Sequence, residues 1–193
     1  MKKHSVIILA SAVALAGATV AARQAAPKAA APSASGAAIV RAHAVIKGEG
    51  ITGTADLVET QQGAGRIVNL TVAISGLKPG SHGVHLHAVG KCTPDFAAAG
   101  GHFDPGPAGN ADPDANHPFH SGDIPQLTAG ANGKATMKAP TTRVTLSDGP
   151  VSLFDADGSA IIIHANPDQG ITGESKSGVS GGPRVACGVI EKR

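Results

Sequence analysis

Residues 38–80 read AIVRAHAVIKGEGITGTADLVETQQGAGRIVNLTVAISGLKPG. Three runs, 39–46, 51–58 and 66–74, are rich in Val, Ile, Leu, Thr and Ala and have the length of strands. Gly48-Glu49-Gly50 and Gly76-Leu77-Lys78-Pro79-Gly80 punctuate them as turns. Similar short runs follow at 84–89, 134–138, 151–154, 161–164 and 185–190, with Asn132-Gly133 as a further turn. Many short strands without a long helical period predict an all-β domain, a sandwich or flattened barrel.

The rest of the composition agrees. The chain has 193 residues, enough for one domain behind a leader. Trp and Tyr are absent, so the core must rest on aliphatic side chains, with Phe96, Phe103, Phe119 and Phe154 as its only rings. Lys2 and Lys3 precede an apolar run at 6–20, and the small residues Ala21 and Ala22 follow. That is the pattern of a secretory signal, and the run is short for a membrane span. The expected organisation is a signal peptide at 1–22, a flexible Ala/Pro-rich linker at 23–37 and one domain at 38–193. The protein is then exported, to the periplasm or beyond the cell. Loss of the leader removes Lys2 and Lys3 and no acid, which brings the formal charge from +2 to near zero. A chain without a basic excess has nothing to hold nucleic acid or an anionic membrane, so neither is expected as a partner. The two cysteines, Cys92 and Cys187, read as one disulfide in an oxidising compartment, the alternative being two buried free thiols.

Two segments lack strand character, 90–128 and 165–184, both rich in Gly and Pro. Long irregular loops in a compact domain are usually functional. All the histidines except His4 and His43 fall in or beside them. In His85-Leu86-His87 the imidazoles are two apart and share one face of a strand. Alone, that pattern also fits two surface histidines. His164 ends the run Ile161-Ile162-Ile163, and His102 lies in Gly100-Gly101-His102-Phe103-Asp104-Pro105. Four imidazoles and no thiolate suit copper. Farther along, His117-Pro118-Phe119-His120-Ser121-Gly122-Asp123 offers imidazoles and a carboxylate that suit a closed zinc site, or else a solvated polar loop. Arg184 stands three residues before Cys187, and a disulfide there would tether its guanidinium near the loop of His102.

Taken together, residues 38–193 resemble the copper–zinc superoxide dismutases. The resemblance rests on motifs in the family's order. His82-Gly83-Val84-His85-Leu86-His87 is similar to the first copper-binding strand, and Gly100 to Pro105 to the bridging-histidine segment. His120-Ser121-Gly122-Asp123-Ile124-Pro125 resembles the end of the zinc loop. His164 with Asp168 resembles the last copper ligand and its linking aspartate, and Gly182-Pro183-Arg184-Val185-Ala186-Cys187-Gly188-Val189-Ile190 the carboxyl-terminal signature. The resemblance implies an eight-stranded Greek-key β-barrel with two long functional loops. It implies copper on His85, His87, His102 and His164, with His102 bridging to zinc. It implies zinc on His102, His120 and Asp123, and Asp168 bonded to a ligand of each metal. His82 is expected to be structural, and Glu174 and Lys176 to belong to a guiding loop.

One departure matters. The family usually carries a zinc histidine eight or nine residues after the bridging one, where this chain has Asn110 and Ala111. Either His117 fills the gap on a rearranged loop, or the zinc site is degraded and copper works alone.

The activity so implied turns two superoxide anions and two protons into oxygen and hydrogen peroxide. Copper alternates between two oxidation states, His102 relays a proton, and Arg184 attracts the anion. The competing reading is a non-catalytic copper carrier on the same fold, which would normally lack a copper ligand or the arginine. A homodimer is compatible with either.

Overall fold

The computed structural model describes residues 38–106 and 109–193. The expected signal peptide and linker lie outside the described residues. Strands β1 (Ala38–Gly48), β2 (Ile51–Gln62) and β3 (Gly65–Ser75) form an antiparallel meander. Glu49-Gly50 and Gly63-Ala64 make its two-residue connections, a length that suits tight hairpins. The others are β4 (Gly80–His82), β5 (Val84–His87), β6 (Leu127–Ala129), β7 (Lys134–Thr141), β8 (Ala160–His164), β9 (Arg184–Val189) and β10 (Glu191–Lys192).

The main sheet has eight strands in the order β5-β8-β9-β1-β2-β3-β7, with β10 on β1, while β4 and β6 form a separate ribbon. Leaving β3, the chain crosses to β5 at the far edge, returns to β7 beside β3, and crosses again to β8 beside β5. These long crossings give Greek-key connectivity, and the sheet curls into half a barrel. The expectation of an all-β barrel fold holds.

Burial explains which residues read as alternating and which do not. In β3 and β7 inward Val68, Leu70, Val72, Ala135, Met137 and Ala139 alternate with outward polar or partly exposed residues, because one face of that region meets water. In β8 and β5 every residue is buried. Ile161 and Ile163 face the barrel core together with Val84 and Leu86. Ala160 and Ile162 face a second cluster with Ala99 and Cys187, under the loop that follows β5. That loop covers a face that antiparallel sheets often leave to solvent.

The two long irregular segments stand between β5 and β6 and between β8 and β9, as expected. The first contains a short 3-10 helix, Phe96–Ala99. Residues 151–154 do not form the expected strand. Ser152 makes one parallel bridge to Thr145, and the rest is turn. The cause is local: Ser152 N–H bonds back to Gly149 O, and Thr145 takes the only ladder-like pair, with Val151 O and Leu153 N–H. Buried Glu59 meanwhile accepts the Leu146 and Ser147 amides, so a side chain rather than a strand ladder fixes this segment to the barrel. The β4–β6 ribbon was not legible, since β4 lies inside a turn-rich stretch and β6 at the end of a loop.

Among the described residues no helix is long and apolar enough to cross a membrane.

Candidate metal centre

The register of β5 on β8 builds the site. His85 pairs with Ile162 and His87 with Ala160, so both imidazoles share the face of Ile162 and His164, away from the barrel core. The following loop then folds back along the free edge of β5. His102 bridges to His87 and Asp123 to His85. Leu86 N–H donates to Gly122 O and Phe103 N–H to Leu86 O. A Cβ on Gly122 would collide with the Leu86 carbonyl, so the close approach requires glycine there.

His85, His87, His102 and His164 are all at most 2% exposed. Their ligand nitrogens lie within 4.8 Å of one another. A second group with the same spacing comprises His85, His102, His117 and Asp123. His120 adjoins it, with Nδ1 2.8 Å from Asp123 Oδ2. The structure therefore brings His117 to the group that the sequence could only suggest for it. His117 Nδ1 is 3.3 Å and His102 Nδ1 2.7 Å from Asp123 Oδ1. Donors arranged round a tetrahedral zinc, at about 2.0–2.1 Å from the ion, stand roughly 3.3 Å apart; the His117 separation matches this, and those of His102 and His120 are shorter, at hydrogen-bond length.

Each ring is pinned through one nitrogen. His87 Nδ1 donates to Gly100 O at 3.0 Å and His164 Nδ1 to Gly182 O at 2.8 Å. His120 Nε2 donates to Asp112 O at 3.0 Å. Asp168 accepts from His85 Nε2 at 3.0 Å and from His117 Nε2 at 2.6 Å. A carbonyl or carboxylate only accepts, so in each neutral ring the opposite nitrogen is left with its lone pair. His120 Nδ1 meets Asp123 Oδ2, but the opposite nitrogens of the other rings have no hydrogen-bond partner: His85 Nδ1, His87 Nε2, His117 Nδ1 and His164 Nε2, joined by His102 Nε2. A buried polar atom left unpaired costs about 1–3 kcal/mol. Four of these atoms, on His85, His87, His102 and His164, converge in one group and fit a metal ion held by imidazole, while His117 Nδ1 faces Asp123 in the second group.

The electrostatics agree. Burial pushes His164 down to about 3 and His102 to about 4, the latter despite its bond to Asp123. Burial likewise lowers His85 and His87. These rings stay neutral with lone pairs free for a metal. His117 differs. Burial works to lower it, but the Asp123 and Asp168 carboxylates outweigh burial and lift it to about 9. Burial would raise Asp123 and Asp168, yet bonds from the surrounding histidines hold both far below the carboxylate range.

Arg184 donates to Phe96 O and Gly100 O, both at 2.6 Å, with its two terminal nitrogens. Gly100 O thus receives both His87 and Arg184. Cys92 and Cys187 form a disulfide, with Cα atoms 5.7 Å apart, and tie β9 to the loop that supplies both carbonyls. A cavity of about 740 Å³ opens beside His164, lined by Lys176 and Arg184 among others. Lys176 of the expected guiding loop belongs to its wall, while Glu174 lies outside that lining. His82 bonds the carbonyls of His164 and Lys78, at 2.8 and 2.9 Å, in keeping with its structural reading.

Several contributors had no signal in the sequence. The Gly100 and Asp112 carbonyls orient rings through backbone, which no motif marks. Asp114 and Thr172 look like ordinary loop residues.

The fold and site define a β-barrel metalloprotein with two adjoining histidine-rich metal centres. The family model for copper/zinc superoxide dismutase (SODC) matches residues 51–190, and the chain belongs to that family. It is 44% identical over 130 residues to a protein of Caulobacter vibrioides named "Superoxide dismutase [Cu-Zn]", covering 64% of this chain and 71% of that protein. A Deinococcus radiodurans protein of the same name is 38% identical over 152 residues, covering 73% of this chain and 78% of its own length. "Superoxide dismutase [Cu-Zn] 2" of Brassica juncea is 40% identical over 146 residues, covering 74% and 90%.

Proposed function

We propose that the protein dismutates superoxide into oxygen and hydrogen peroxide at a copper centre formed by His85 Nδ1, His87 Nε2, His102 Nε2 and His164 Nε2. The carrying observation is that these four buried nitrogens lack partners while the opposite nitrogen of each ring is pinned. Bound copper supplies the one-electron redox chemistry that four imidazoles support. The chain supplies the rest. Arg184, held rigid by two carbonyls, presents its charge at the mouth beside His164 and attracts the superoxide anion. His102 Nε2 is the atom that can accept a proton and pass it to the product. Retention of Arg184 beside a full set of four imidazoles favours turnover over a carrier role.

Zinc falls to His102 Nδ1, His117 Nδ1, His120 Nδ1 and Asp123, a closed structural set of three imidazoles and a carboxylate. His85 is within reach of both groups but has one bare nitrogen and serves one ion. His120 therefore completes the second.

The domain at 38–193 works outside the cytoplasm in this reading. Its disulfide suits an oxidising compartment, and the basic and apolar opening of the chain suits export. Amino-terminal sequencing of secreted protein tests that point, and recovery of Met1 refutes cleavage. A second copy of the chain as partner is compatible with this function and is tested by sedimentation.

For the activity, protein loaded with copper and zinc is assayed for superoxide turnover. His164→Ala is expected to lose copper and turnover together, and His117→Ala to lose zinc. Inactive protein with full copper refutes the dismutase reading. Equal zinc in wild type and His117→Ala removes His117 from the centre.

A further inference from the structure

His117 reaches the second histidine group from an unusual limb of the loop, and what holds that limb is not part of the barrel. Ala111 O receives His102 N–H, and Asp112 O receives His120 Nε2. Ala111, one of the two positions where a ligand was expected, thus serves through its backbone carbonyl, as does the neighbouring Asp112. The chain then turns at Asp112, whose Oδ1 accepts the Asp114 and Ala115 amides. From there it meets the 165–184 loop. Asp114 is only 4% exposed. Its Oδ2 accepts Gly178 N–H at 2.8 Å, and its Oδ1 accepts Ser180 N–H at 3.1 Å and Ser180 Oγ–H at 2.8 Å. Its own carbonyl accepts Gly173 N–H at 2.9 Å. Three residues later Thr172 Oγ1 donates to His117 O at 2.6 Å.

A buried carboxylate with three donors is a strong, directional joint, because charge-assisted bonds are about twice as strong as neutral ones. Burial would raise Asp114, yet these bonds outweigh it and keep the group ionised. Asp114 touches none of the converging nitrogens and contributes to no strand. What it joins is the limb carrying His117 to the stretch 173–180, whose Ser175, Lys176, Ser177, Gly178 and Ser180 wall the cavity beside His164.

We propose that Asp114 is a positioning residue. It clamps the His117 limb onto the 165–184 loop, so that His117 Nδ1 is delivered to zinc and zinc uptake in turn orders the cavity wall. This rests on the zinc reading above. The coupling is reciprocal, as any linkage between two bound states must be.

The test titrates metal-free protein with zinc against a chromophoric chelator and, separately, with copper. Hydrogen exchange is read at the Gly178 and Ser180 amides before and after zinc. In Asp114→Asn the side-chain amide turns a donor toward a backbone donor, and zinc affinity should fall by roughly 10–100-fold, the range for groups that orient ligands. Copper affinity should hold, and the zinc-induced protection of Gly178 and Ser180 should vanish. Ser180→Ala, which keeps the carboxylate and removes one bond, should move zinc affinity the same way by a smaller factor. That variant carries the test if Asp114→Asn does not fold. Unchanged zinc affinity in the variants overturns the clamp. Parallel loss of copper and zinc marks general destabilisation and overturns it too. A wild type that binds no zinc sinks the zinc centre itself, and the clamp with it, whereas normal wild-type zinc with unaffected variants sinks the clamp alone.

Discussion

His164 and Arg184 are cross-strand partners, one step beyond a break in the β8–β9 register. Up to that point Ile162 pairs with Cys187 and Ile163 with Ala186; the next pair is His164 with Arg184, leaving Val185 over. Without the extra residue, alternation would send Arg184 to the core face with Ala186. The bulge turns it to the face of His164. A one-residue irregularity thus sets a permanent positive charge beside the copper group, and the carbonyls of Phe96 and Gly100 lock it there.

Arg184→Ala should therefore keep copper and lose rate. The loss of kcat/KM should be about tenfold or more at low ionic strength and smaller at high salt, because steering by a cleft charge is screened there. Arg184→Lys should recover part of it, since an ammonium keeps the charge but cannot span two carbonyls as a guanidinium fork does. Turnover measured across a salt series checks both. A salt profile unchanged in Arg184→Ala would remove the arginine from substrate capture.

Asp168→Asn tests the joint between the two centres. Its carboxylate takes His85 on one oxygen and His117 on the other. An amide keeps one acceptor and presents N–H to the second ring, which then loses its orientation. Zinc affinity should fall by roughly 10–100-fold, with a change in the visible spectrum of bound copper as His85 shifts. Metal titration with spectra of the copper form decides the matter. Wild-type zinc affinity would show that Asp168 does not orient His117.

How far this arrangement was legible varied with the range of the interaction. Ile161-Ile162-Ile163 followed by His164 was legible as a strand ending in a candidate ligand, and its unbroken apolar run reflects burial on both faces. His85 and His87 were legible through the period of two. His117 was not, because its place depends on the path from Asp104 to Asn116, and that path is set by contacts with residues more than fifty positions away. Thr172 on His117 O and Ser180 on Asp114 are such contacts. Residues 151–154 misled for a different reason: their apolar character came from burial of Leu153 in the core, while a local turn, Ser152 N–H on Gly149 O, takes the place of a strand ladder.

The disulfide should matter to stability and rate alike. Cys92 and Cys187 are 95 residues apart in sequence. In the chain-entropy model a loop this long contributes about 4–5 kcal/mol. Cys187→Ser should lower the denaturation midpoint accordingly. It should also cost rate beyond any loss of copper, because the segment it frees carries the Phe96 and Gly100 carbonyls that hold Arg184. Urea titration and turnover per copper measure the two effects. A variant as stable as wild type would count against the entropic account.

Acid should destabilise the metal-free protein through its buried imidazoles. An unfolded histidine titrates near 6.5. In the fold His102 takes a proton only near 4 and His164 only near 3. Between those values and 6.5 the unfolded chain binds more protons than the native one, so stability falls as pH falls. The contribution is complete above about 6.5 and is lost as pH drops through 4 and then 3. His117 has the opposite sign. Lifted to about 9, it contributes fully below 6.5 and loses that contribution as pH rises through 9. The metal-free protein should therefore have its highest urea midpoint near neutrality, with a fall on the acid side from the neutral rings and a smaller one on the alkaline side from His117. His117→Gln should flatten the alkaline limb and leave the acid limb in place. Zinc added at pH 7.5 must also displace the proton on His117 Nδ1, so binding should release about one proton more in wild type than in His117→Gln. Calorimetry in two buffers of different ionisation enthalpy reads that number. Equal release by the two proteins would mean that His117 does not give up a proton to zinc.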